Sequence, residues 1–239
     1  MIKYSKRNEN TLHPDYYIVL TEFAKSKIVN FGINPRRIFI KPNFISEQLP
    51  SSKETLNYAA FVGRLSKEKG IDIILKSLQA TKCKKIPIKV IGDGPLSVYV
   101  KQKIKEFGLK QIDILGLKSH RDTIEYIKKA RFLIMPSLCY ESFPVTLIEA
   151  MAMGTPVIAT NIGALGYLIK NLETGILTSP GDVEDLANKI TWLWEHDEER
   201  KRMGENARKE FEEKYTPEKN YKMLMNIYEK AINMHKKGR

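Results

Sequence analysis

The chain has 239 residues, 42% of them hydrophobic, and 40 lysines and arginines stand against 28 acidic residues for a formal net charge of +12. That length accommodates one well-formed α/β domain plus an appendage, and the composition is that of a globular core, not of a disordered or fibrous chain. Cys83 and Cys139 make neither a disulfide framework nor a zinc knuckle, no apolar run reaches the roughly 18–20 residues that span a bilayer, and the polar opening MIKYSKRNENTLHP does not read as a signal peptide. The default setting is therefore reduced and cytoplasmic, with any membrane association peripheral, at the inner face.

In chain order, DYYIVLTEFAKSKIVNFG (15–32) reads as a strand and then a helix, and RRIFIKPNF (36–44) as a strand running into a Pro-Asn break. Short β-branched runs then alternate with helical patterns. Strands are expected near 58–62, 87–91, 111–115, 132–135, 156–159 and 175–178, with helices near 70–81, 95–107, 121–129 and 143–153 between them. Such alternation argues for a parallel sheet with right-handed crossovers. From about 181 the pattern is nearly all helical, ending in a segment from Pro217 to about 236. The expected architecture is α/β, a Rossmann-like doubly wound parallel sheet of about six strands with helices at the C-terminal end. Its ligand-binding loops should follow the carboxyl ends of the strands.

The most informative stretch is ESFPVTLIE (141–149), where two glutamates lie eight apart across a Pro-bearing helix start. Pro144 fits a first helical turn, where its missing N–H costs nothing, and Ser142 is a candidate N-cap. The backbone N–H groups of Val145 and Thr146 would then point at an anion with the helix dipole behind them. Glu149, five residues on, lies roughly 7.5 Å further along the axis. A phosphate at the helix tip would leave it near the height of an attached ribose. Its apolar neighbours Ile148, Ala150 and Met151 predict a mostly buried helix, so this carboxylate needs a partner.

Several motifs, in order, resemble the retaining GT-B glycosyltransferases of family four, the "group 1" enzymes. FVGRLSKEKG (61–70) resembles the family's Gly-Arg-Leu-x-x-Glu-Lys-Gly loop, VIGDGP (90–95) its second glycine turn, CYESFPVTLIEAMAMGTPVIAT (139–160) its Glu-x7-Glu signature, and TGILTSPGDVEDLANKI (174–190) the stretch that follows. The resemblance covers residues 40 to about 215. It implies a remnant of the acceptor domain and hinge over 1–41, a nucleotide-sugar donor domain over 42–215, and a C-terminal helix over 216–239. About 150 residues that precede these in the family are absent, so the chain resembles the donor half of a two-domain enzyme.

What the resemblance implies can be set residue by residue beside the plainer reading. Arg64 and Lys69 would grip the donor diphosphate, with Gly63 allowing close approach; otherwise they are exposed cations at a helix start. Glu141 would contact the transferred sugar or the charge developing at its anomeric carbon, giving a catalytic set of Glu141, Arg64 and Lys69; otherwise it is a solvated loop carboxylate. Glu149 would hold the ribose hydroxyls, since a carboxylate suits two adjacent donors. Gly92 and Gly94 would line the donor pocket, or else simply make a turn. Leu117, between Gly116 and Lys118, would approach the base. Cys139 has no nearby histidine and does not read as a nucleophile. The histidines His13, His120, His196 and His235 lack ligand-like spacing, so no metal is expected; Arg64 and Lys69 would take the place of a divalent cation.

Two departures from the family pattern stand out. Pro144 occupies the place of a common glycine and removes one backbone donor. Gly163-Ala164-Leu165-Gly166-Tyr167 replaces Gly-Gly-x-x-Glu and loses an acid on the acceptor side.

The expected function is hexosyl transfer from a nucleotide sugar (a UDP-, GDP- or ADP-sugar) to a glycan or lipid-linked acceptor, with retention of configuration and no cofactor. The alternative is a non-catalytic nucleotide-sugar-binding module, a gene remnant or the donor half of a split enzyme. The missing domain leaves room for a partner chain or for self-association, with apolar surface expected at the hinge from Pro42 to Ile45. The positive charge, including Lys101 with Lys105 and the Lys82, Lys84, Lys85 cluster, fits a solvated surface or an anionic membrane surface. Nucleic acid is not expected: GALG (163–166) imitates a KH-type loop, but no aromatic RNA platform accompanies it.

Overall fold

The computed structural model describes residues 14–46, 55–80, 83 and 85–237. The opening segment with His13, and Lys82 and Lys84, lie outside the described residues.

The chain begins with a small βαβ unit. β1 (Tyr17–Val19) and β2 (Ile38–Ile40) pair in parallel, and α1 (Glu22–Asn30) crosses between them. Thr21 caps α1, its hydroxyl accepting from the Ala24 N–H at 3.1 Å. The main body follows: β3 (Ala59–Val62), α2 (Ile71–Ser77), β4 (Ile88–Ile91), α3 (Ser97–Glu106), β5 (Ile112–Gly116), α4 (His120–Lys129), β6 (Leu133–Met135), α5 (Val145–Met153), β7 (Val157–Thr160), α6 (Gly163–Leu168) and β8 (Gly175–Thr178). The chain then runs through α7 (Val183–Glu195), α8 (Asp197–Lys214) and α9 (Pro217–Lys237). Each expected strand is present within two residues of its predicted start. The sequence did not announce α6, because its six residues include two glycines, which weaken any helical pattern.

The main sheet is all parallel, in the order β5-β4-β3-β6-β7-β8. Its core alternates with the pleat. Ala59, Phe61, Ile134 and Ile158 face one apolar layer with α2, α3 and α7, whereas Ala60, Leu133, Val157 and Ala159 face the other with α4, α5 and α6. Strands β6 and β7 are buried on both faces, which is why they read as continuous apolar runs. The chain runs outward from β3 to β5, then returns to place β6 on the other side of β3. The crevice between the carboxyl ends of β3 and β6 is therefore the topological switch point, where open α/β sheets bind ligands.

The hinge is less exposed than the sequence suggests. Ile45 is buried, its N–H donating to the Tyr215 carbonyl at 3.3 Å, and Phe44 alone of that run is an exposed large apolar residue.

Candidate donor-binding site

Four loops at the carboxyl ends of the strands are stitched together by backbone hydrogen bonds. Gly63 N–H donates to Ile91 C=O, Leu65 N–H to Asp93 C=O, Leu96 N–H to Leu65 C=O, and Gly92 N–H to Gly116 C=O, all between 2.9 and 3.0 Å. Across the switch point, Leu138 N–H donates to Glu68 C=O at 2.7 Å. Two glycines make these approaches possible. Gly92 has φ +135°, and a Cβ there would lie 2.0 Å from the Gly63 carbonyl oxygen; Gly70 has φ +73°, and a Cβ there would lie 1.9 Å from that of Pro136.

A cavity of about 280 Å³ opens at this crevice, lined among others by Gly63, Arg64, Lys69, Glu141, Val145 and Thr146. These come from loops on both sides of the switch point. A second cavity of about 300 Å³ shares Val62, Gly63 and Arg64 with the first and continues to Gly92, Leu117 and Lys118. Gly94 lines neither. Its N–H is taken by Asp93 Oδ1 and Ser97 Oγ, and its Cα packs on the Leu65 backbone, so it serves the turn into α3.

At the tip of α5 the expected cap is corrected. Pro144 is the N-cap residue and not part of the first turn: its ψ of 106° is extended, and its carbonyl accepts from Leu147 N–H at 3.1 Å. Ser142 makes no cap hydrogen bond. Buried Phe143 packs edge-on against Tyr215, at 5.9 Å between ring centroids, and fixes the entry of the chain. Val145 and Thr146 thus become the first two helical residues. No acceptor for either N–H is found among the described residues.

Arg64 is exposed and makes no salt bridge among the described residues. Lys69 and Glu141, read separately in the sequence, form one ion pair, Nζ to Oε1 2.6 Å, and the Ser137 hydroxyl donates to the same oxygen at 2.9 Å. Nearby, a hydrogen bond from the Ser66 hydroxyl, then one from its own backbone N–H, with Arg64 and Lys69 adding charge, hold Glu68 below the usual carboxylate range. The Ser97 hydroxyl and the Gly94 N–H do the same for Asp93.

Glu149 is 6% exposed and lines neither cavity; its Oε1 lies 2.7 Å from His120 Nε2. The required partner of this buried carboxylate is thus a histidine that ligand spacing alone had set aside. Among the described residues no group of three or more His, Cys, Asp or Glu side chains could hold a metal ion, and no helix is long and apolar enough to cross a membrane.

Comparison with known proteins gives the family and the fold. Residues 44–210 match the family described as "Glycosyl transferases group 1". The chain is 31% identical over 219 residues to an uncharacterized glycosyltransferase of Methanocaldococcus jannaschii, covering 92% of this chain and 60% of that protein. It is 27% identical to the O-antigen chain mannosyltransferase C of Escherichia coli, covering 85% of this chain and 54% of that one. The S. aureus TarM structure, solved with Fondaparinux, alpha-GlcNAc-glycerol and UDP, superposes with a TM-score of 0.78 at 23% identity, over 90% of this chain and 44% of that one. The chain belongs to the glycosyl transferases group 1 family and has the fold of one half of a GT-B glycosyltransferase. It spans about half to three-fifths of the length of these curated relatives.

Proposed function

We propose that the chain is the donor-binding half of a retaining glycosyltransferase that moves a hexosyl group from a nucleotide sugar to a glycan or lipid-linked acceptor. The observation that carries this reading is the single cavity that gathers Gly63, Arg64, Lys69, Glu141, Val145 and Thr146 from both sides of the switch point. Its chemistry suits a sugar diphosphate. Arg64 and Lys69 supply two cations, and the α5 tip supplies two backbone donors on the positive end of the helix dipole. The nucleoside would run toward the second cavity, past Gly92 and Leu117, with Glu149 accepting from the ribose.

Catalysis in such a site rests on positioning and on charge stabilisation. Arg64 and Lys69 would stabilise charge building on the leaving diphosphate, which is the task a divalent cation performs elsewhere. Once a diphosphate draws Lys69 toward itself, Glu141 loses part of its counter-charge and can accept hydroxyls of the sugar or face positive charge at the anomeric carbon. Both residues are partly buried, their side chains 32% and 14% exposed, which strengthens the exchange relative to bulk water.

Calorimetric titration with UDP, GDP, ADP and their sugar conjugates tests the reading. One nucleoside diphosphate should bind, and Arg64→Ala and Glu149→Ala should each weaken it by about tenfold or more, the loss of a hydrogen bond to a charged group. Absence of binding by the wild-type chain to every one of them would overturn it. Turnover on adding acceptor would separate an active enzyme from a binding module.

A further inference from the structure

The contact between His120 and Glu149 is not explained by spacing in either element. The two residues are 29 apart in sequence, one at the first position of α4 and the other midway along α5. His120 follows Leu117 and Lys118, which line the second cavity, and Glu149 follows Val145 and Thr146, which line the first. The contact therefore joins α4, whose Thr123 lines the second cavity, to α5, whose Val145 and Thr146 line the first.

We propose that His120 is a positioning residue of the donor site: through Nε2 it holds Glu149 in the orientation that receives the nucleoside end of the donor. This rests on the reading given under Proposed function. An ionised carboxylate can only accept, so His120 Nε2 carries the hydrogen and donates it to Oε1 at 2.7 Å. Glu149 has no other hydrogen-bond partner among the described residues, and its side chain is 8% exposed against 58% for His120. The imidazole thus lies on the solvent side of a buried carboxylate, fixing one oxygen while the second is left to accept. A buried carboxylate without that donor would be costly and would turn to find another. The position of His120 is itself set independently of the contact. Ser119 caps α4, its Oγ accepting from Asp122 N–H at 3.1 Å, and the Ser119 carbonyl accepts from Thr123 N–H and from the Thr123 hydroxyl, both at 2.9 Å.

That separation makes the proposal testable without unfolding the helix. Wild type, His120→Ala and His120→Gln are titrated with the tightest-binding of UDP, GDP and ADP, and in parallel with inorganic pyrophosphate, which engages only the Arg64 and Lys69 end. His120→Ala should weaken the nucleoside diphosphate about tenfold, the loss expected for one hydrogen bond to a charged group, and leave pyrophosphate binding unchanged. Gln, whose side-chain amide can place an N–H near the position of Nε2, should recover affinity to within about threefold. Equal affinity of His120→Ala and wild type for the nucleotide overturns the proposal, as do parallel losses for nucleotide and pyrophosphate, or failure of Gln to rescue. Wild-type chain that binds no nucleoside diphosphate at all would instead sink the donor-site reading, and this inference with it.

Discussion

The site's chemistry turns on side chains whose partners differ from those their sequence neighbours suggest. Lys69 and Glu141 belong to motifs 72 residues apart, yet share a contact of 2.6 Å. Gly70 beside Lys69 is what lets their loops close. With φ +73° and a would-be Cβ 1.9 Å from the Pro136 oxygen, Gly70→Ala faces both backbone strain and a clash with main chain. The left-handed backbone alone costs roughly 1–3 kcal/mol. We expect a melting temperature lower by several degrees, and a loss of nucleotide affinity as the 64–69 loop is pushed from the 136–141 loop. Unchanged values in scanning calorimetry and titration would show that the loop relaxes freely. The expected site residues that line the two cavities came from the family resemblance, whose motifs punctuate these loops with glycines and a proline. The partner of Glu149 was not legible in sequence: spacing rules test histidines against one another, whereas His120 meets its carboxylate only through the crossing of α4 and α5. The cap of α5 escaped for a similar reason, since buried Phe143, anchored on Tyr215 more than seventy residues away, sets where the helix begins.

At the level of elements, the inner strands such as β6 and β7 were readable because parallel strands buried on both faces must be short, apolar and β-branched. Helix α9 was readable as a helical segment beginning at Pro217, but not where it would attach. Asn220 supplies that attachment. It is 4% exposed, accepts from Lys41 Nζ at 2.9 Å, and donates through Nδ2 to the Pro42 carbonyl at 2.6 Å. It therefore ties the first turns of α9 to the connection between the small βαβ unit and the main sheet. Asn220→Ala leaves the half-buried Pro42 carbonyl without that donor, a cost of about 1 kcal/mol. Limited proteolysis should show α9 cleaved faster, while nucleotide binding is retained, because no residue of α9 lines either cavity. Equal cleavage rates would mean that packing on α8 alone holds the helix.

At the scale of the molecule, two surfaces are incompletely covered among the described residues. The β1–β2 pair is a two-stranded parallel sheet, a form that is marginal by itself. Along α9, Tyr221, Met225, Tyr228 and Ile232 are exposed at spacings of four, three and four, so they form one apolar stripe on the outer face. We expect this stripe to pair with its counterpart on a second copy of the chain. Light scattering after size exclusion should show a mass that rises with concentration, and Tyr228→Glu with Ile232→Glu should return it to that of a monomer; a strictly monomeric wild type at high concentration would refute this.

The interleaving of loops at the switch point has a consequence for folding. One wall of the first cavity belongs to the half of the sheet from β3 to β5, and the other to the half from β6 to β8, so neither half contains a binding site by itself. A ligand held between Arg64 and the tip of α5 would be a clasp across the two halves, and its site is lost when β3 and β6 part. Its binding free energy therefore adds to the stability of the entire domain, by about 2.7 kcal/mol when free ligand stands at a hundred times its dissociation constant. Such a ligand would then protect the chain against unfolding as a unit.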